Sequence, residues 1–112
     1  MIYDVNPLYQ AGNTGKGVTI AVIGQTDILP ADITDFRGAA GLAANDPTVF
    51  TVPGTTPLSV AAGSASNDLS ETDLDLEWSG GIAKNAAIIF VYAGLASGDI
   101  CTGNRTKAWT NC

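Results

Sequence analysis

Val18-Thr-Ile-Ala-Val-Ile-Gly24 is a nearly unbroken β-branched run that ends in glycine. A run apolar at both parities predicts a parallel strand buried on both faces. Ala86-Ala-Ile-Ile-Phe-Val-Tyr92 has the same character, and Thr48-Val-Phe-Thr-Val52 predicts a shorter strand. Pro30 to Gly41 reads as a helix with Ile33 and Phe36 inward and Gly41 at its exit. A second helix precedes Ala86. The order β-α-β-α-β predicts an α/β fold with a parallel sheet and right-handed crossovers, in which the first and last runs are neighbours or near-neighbours. Three strands leave two open edges, so the chain reads as the beginning of a domain.

The second helix is predicted from Asn67-Asp-Leu-Ser-Glu-Thr-Asp-Leu-Asp-Leu-Glu-Trp-Ser-Gly-Gly81, with Asp68 as its cap and Gly80-Gly81 as its end. At about 100° per residue, Asp73, Glu77 and Ser70 share one narrow polar side. Glu71 and Asp75 fall instead in the middle of an arc shared with Leu69, Thr72, Leu74, Leu76 and Trp78. Carboxylates on a face destined for burial must be paired or protonated, and two together should share a proton. That arrangement suits a general base and the group that orients it. A structural reading stands beside it: Asp68-x-x-Glu71 is a variant of the capping box, and acids near a helix start favour the macrodipole.

Elsewhere the chain is plainer. Asp4 to Gly12 predicts one or two helical turns, with Asn6 as cap and Pro7 at the first helical position. Asn13-Thr-Gly-Lys-Gly17 precedes a strand and lacks the Ser or Thr of a phosphate-binding loop, which weighs against a nucleotide-binding domain. Asp27, just past the first strand, caps the segment after it or serves a site at the strand end. Pro53 to Asn67 is a long Gly-, Ser-, Thr- and Pro-containing loop. From Gly94 the periodicity is lost. Cys101 and Cys112 either close a short disulfide loop or remain two free thiols. Asn104-Arg105-Thr106 fits a glycosylation acceptor, meaningful only in a secreted eukaryotic setting.

The 112 residues suffice for one domain with a modest core, and 46% hydrophobic content places the chain among globular proteins. A net charge of −6 argues against nucleic-acid binding, which needs clustered Lys and Arg. No apolar run is long enough to span a bilayer, and Met1-Ile2-Tyr3-Asp4 lacks the features of a signal peptide. The chain is therefore expected to act without a membrane, either in the cytoplasm or as part of a longer precursor. There is no histidine, so neither a Ser-His-Asp triad nor a His-based zinc site can be built from these residues.

Four stretches resemble the sedolisins, or serine-carboxyl peptidases, in the family's order. They are Asp4 to Gly12, Val18 to Ile28, Asp32-Ile-Thr-Asp-Phe-Arg37 with Gly41 to Pro47, and Glu71-Thr-Asp-Leu-Asp-Leu-Glu-Trp-Ser-Gly-Gly-Ile-Ala83. The last carries the family's Glu-x-x-x-Asp signature, and the resemblance runs from about residue 4 to about residue 93. It implies a subtilisin-like α/β fold with flanking helices, of which this chain holds the first β-α-β-α-β portion, followed by a divergent or truncated tail at 94–112. It implies that Glu71 is the general base of an acid-pH endopeptidase and that Asp75 orients it. The nucleophilic serine, the oxyanion aspartate and the calcium ligands of the family lie in stretches this chain does not contain. Peptide or protein substrates and an extracellular location also follow from the resemblance. Lys84 departs from it, standing where proline is common. The competing reading is a non-catalytic α/β interaction or binding module that keeps only this first unit.

Overall fold

A computed structural model of the chain describes residues 4–24, 26–56, 60, 66–92 and 95–96. Its elements are α1 (Asn6–Gln10), β1 (Thr19–Gly24), α2 (Pro30–Ala39), β2 (Thr48–Thr51), β3 (Thr55–Thr56), α3 (Ser66–Ile82), β4 (Ala87–Tyr92) and β5 (Leu95–Ala96). The fold is a small α/β structure. β4 is the centre of a three-stranded parallel sheet of order β1-β4-β2. Thr19 pairs with Ala87 and Gly24 with Tyr92, so the two β-branched runs are neighbouring parallel strands, as expected. β3 and β5 form a separate antiparallel pair within what the sequence reads as loop and tail. Cys101, Cys112 and Asn104 lie outside the described residues.

The expectation of burial on both faces is not met. Ile88, Phe90 and Tyr92 of β4 and Val22 of β1 are buried, whereas Ala21 and Ile23 on the opposite face are open, Ile23 being 81% exposed. The physical reason is that both helices cover the same face. Ile33 of α2 and Leu76 of α3 share one core with Val22, Ile88 and Phe90, and among the described residues no element covers the other side. The crossovers depart from expectation for the same reason. The chain runs from edge strand β1 across to β2 and then back to β4, with α2 and α3 on one face. Its two crossovers therefore have opposite hands, and one of them breaks the right-handed rule.

Several local predictions shift by a residue or more. Val5, not Asn6, occupies the cap of α1, and the Asn6 N–H donates to Asp4 Oδ1 at 3.2 Å. α2 starts at Pro30 as the fixed φ of proline favours, and Gly41 just beyond its end has φ +66°. α3 begins before Asp68 and runs straight through Gly80-Gly81 to Ile82. Those glycines serve packing instead of termination. Gly80 is buried against Arg37 and Ile88, and a Cβ on Gly81 would lie 3.3 Å from Phe36.

Arg37 ties the helical layer together. Its guanidinium is buried and donates to the carbonyls of Ala43 (2.7 Å), Gly80 (3.0 Å) and Lys84 (3.1 Å). A buried charge persists only when its donors are satisfied, and the planar fork of arginine reaches three acceptors at once. Nearby, Tyr9 donates to the carbonyl of Ile82 at 2.7 Å while Lys84 Nζ lies 4.1 Å from the centre of the Tyr9 ring, fastening α1 to the end of α3.

Candidate active site

α3 crosses the sheet with Thr72, Leu76 and Gly80 turned inward, one helical turn apart. This fixes its rotation and corrects the helical wheel. Glu71 and Asp75 do not sit on a buried face: both are exposed. Leu74 and Trp78, which made that arc look apolar, are 54% and 57% exposed. The buried stripe consists of a threonine, a leucine and a glycine, so hydropathy alone points the wheel the wrong way. Asp73 and Glu77, expected on the outer polar side, are half-buried at the border with α2.

Glu71 and Asp75 open onto a cleft of about 70 Å³ that is also lined by Ile23, Gly24, Asp68 and Thr72. Asp68, expected to cap the helix, is a lining residue inside its first turn. The cleft lies at the carboxyl end of β1, where α/β proteins gather functional groups. Gly24 makes it possible. A Cβ there would fall 2.5 Å from Phe90 Cζ and 3.1 Å from Thr72 Oγ1, so only glycine lets α3 approach the strand end. Phe90 is fully buried and cannot give way. Among the described residues no hydrogen bond joins the carboxyls of Glu71 and Asp75; their common feature is the cleft they share.

The strand end also holds Thr26, wholly buried with its Oγ1 lacking a partner among the described residues, and Asp27, whose Oδ1 accepts from the Ile28 N–H at 2.9 Å. The expectation that Asp27 caps the following helix is not met: its bond goes to the next residue, and the cap of α2 is Leu29, without a side-chain bond.

The second carboxyl group of interest is Asp73. Burial pushes it up to about 6, with the charges of Asp32 and then Glu77 acting in the same direction. Glu77 is raised as well, first by burial and then by Asp32. Both face the α2 side, away from the cleft. A void of about 10 Å³ between Ile33, Arg37, Glu77 and Ile88 is too small to hold more than a water. Among the described residues no group of three or more His, Cys, Asp or Glu is arranged to hold a metal ion, and no helix is long and apolar enough to cross a membrane.

Arg37 and Asp73 are the residues that sequence reasoning passed over. A signal for Arg37 existed, because it stands four residues after Ile33 on the inward face of α2. No signal existed for Asp73, whose surroundings are set by a different helix. Comparison with protein-family models, with curated proteins and with solved structures finds no match for this chain.

Proposed function

We propose that residues 4–93 are the first part of a serine-carboxyl peptidase domain of subtilisin-like fold, in which Glu71 is the general base and Asp75 the group that orients it. The observation that carries this reading is the placement of the Glu-x-x-x-Asp segment. Its two acids, one turn apart, open together onto a cleft at the carboxyl end of a parallel strand. An ionised Glu71 takes the proton of a serine hydroxyl brought to the cleft by the rest of the domain, and Asp75 fixes the carboxylate that receives it. A carboxylate base remains competent at acid pH, where an imidazole is already charged. The exposure of Leu74 and Trp78 beside the pair suits a half-site over which further polypeptide closes. The calcium, the peptide substrate and the extracellular location belong to that complete domain and are part of the same proposal.

A second reading is a non-catalytic binding module. It is favoured by the lining of the cleft, which among the described residues contains no serine or cysteine, and by the open sheet face around Ile23.

A chimera separates the two. Residues 1–93 replace the corresponding portion of an active serine-carboxyl peptidase, and cleavage of denatured haemoglobin is followed near pH 4. The expected result is activity that falls by about 10²–10⁴ with Glu71→Gln and clearly with Asp75→Asn, the range of general-base contributions. The isolated chain should show no turnover. A chimera with native circular dichroism that is inactive, or whose activity ignores Glu71→Gln, contradicts the peptidase reading.

A further inference from the structure

We propose that the seam between α2 and α3 is a pH-sensitive joint, closed when Asp73 is protonated and strained when it is ionised. The helices run side by side in the same direction. Ile33 lines a common void with Leu76 and Glu77, the rings of Phe36 and Trp78 are 6.4 Å apart, and Arg37 bonds the carbonyls of Gly80 and Lys84. That ladder sets Asp32, the residue before Ile33, beside Asp73 and Glu77. Three acids from two helices thus meet at one seam. Asp73 Oδ1 is buried there and has no hydrogen-bond partner among the described residues. An ionised oxygen in that position pays desolvation without a donor in return.

Among the described residues, the two basic side chains bonded to or following α3 are engaged elsewhere. Arg37 is the basic residue of α2, and its guanidinium is engaged by the carbonyls of Ala43, Gly80 and Lys84. Lys84 has its ammonium over the Tyr9 ring. Of the strands that α3 covers, β1 has no ionisable side chain and β4 has only Tyr92, which stacks on Phe90. The acids facing Asp73 are Glu77 from its own helix and Asp32 from α2, and both push its carboxyl in the same direction as burial does.

The sign follows directly. Asp73 is raised in the folded chain from its ordinary 3.8 to about 6. The folded state therefore holds a proton that the unfolded chain releases. The resulting stabilisation is complete below the ordinary value and is lost as pH rises through about 6. With no histidine in the chain, few other side chains change charge between about pH 5 and 7, so this window isolates the joint. The joint does not depend on whether Glu71 and Asp75 are catalytic, because it uses the other side of the helix.

The experiment is thermal unfolding of the full chain at closely spaced pH values, together with carboxyl-carbon NMR titration. The unfolding midpoint should fall as pH rises from about 4 to about 6, still falling above pH 5 where few other carboxyls titrate, and level off by about 7 as Asp73 finishes losing its proton. Asp73→Asn, which mimics the protonated acid, should flatten that fall and give a higher midpoint than the wild type at neutral pH. A wild-type midpoint that does not fall in this window overturns the proposal, and so does an Asp73→Asn variant that keeps the full fall. If Asp73→Asn does not fold, Asp32→Asn serves in its place. It should move the Asp73 titration to lower pH and shrink the fall, and a titration left unmoved overturns the joint.

Discussion

Arg37 joins α2 to α3 and to the turns after both helices through three side-chain hydrogen bonds. Its three bonds to carbonyls of the α2 exit, of α3 and of the turn after α3 make it a mechanical tie, so its loss strands the buried Gly80 carbonyl and loosens the two part-buried contacts. We expect Arg37→Met to lower the unfolding free energy by about 2–4 kcal/mol in urea titrations, the range for breaking a buried polar network. Arg37→Lys should recover only part of this loss, because an ammonium cannot reach three divergent acceptors in the plane of a guanidinium. At this scale the sequence is least transparent. The identities of Glu71 and Asp75 as interesting acids are legible from their spacing, but their surroundings are not. The wheel groups Leu74 and Trp78 with Thr72 and Leu76 in one apolar arc and reads Gly80 as the helix end, whereas packing against Gly24, Phe90 and Ile88 buries only Thr72, Leu76 and Gly80 of these and leaves Leu74 and Trp78 outside. Asp73 shows the same limit, since its altered acidity comes from burial and from Asp32 on a different helix.

Elements are read from sequence with more success than residues. The runs around Val22 and Phe90 announce strands because β-branched and aromatic side chains suit a pleated sheet, and both strands appear in parallel register. α2 is recognisable from Pro30 at its first position and Gly41 beyond its end. α3 is the exception, since Gly80-Gly81 has the look of a helix end. The helix continues because Arg37 holds the Gly80 carbonyl and Ser79 continues the ladder into the turn, its carbonyl accepting from the Ala83 N–H at 2.9 Å. Glycine inside a helix costs about 1 kcal/mol relative to alanine. A Cβ on Gly80 would meet Arg37 Nη1 at 3.6 Å and Ile88 Cγ1 at 3.7 Å, which are ordinary contacts. Gly80→Ala should therefore raise the unfolding free energy by about 0.5–1 kcal/mol. The same change at Gly81 meets Phe36 at 3.3 Å and should gain less. A clear loss of stability in Gly80→Ala would show that α3 needs glycine there for closer approach.

At the scale of the molecule, the described elements cover the sheet on one side. The continuous apolar runs lead to the expectation of two covered faces, because parallel sheets in complete α/β domains have helices on both. The pattern is legible, but what lies over the second face is not encoded in the strands themselves. α2 and α3 share one face, so Ile23 stands in solvent at 81% exposure while Phe90, on the other side of the same sheet, has none. The proposed active site and the pH-sensitive joint both rest on one geometric claim: α3 turns Glu71 and Asp75 outward to the cleft and buries Thr72, Leu76 and Gly80. Single-cysteine labelling tests it most directly. With Cys101→Ser and Cys112→Ser as background, the native chain bearing Ile23→Cys, Glu71→Cys, Thr72→Cys or Asp75→Cys is treated with a thiol reagent and the rates are compared with those in denaturant. The first, second and fourth should react at rates close to their unfolded values, and Thr72→Cys should be strongly protected. Strong protection of Glu71→Cys and Asp75→Cys, or free reaction of Thr72→Cys, would contradict the account.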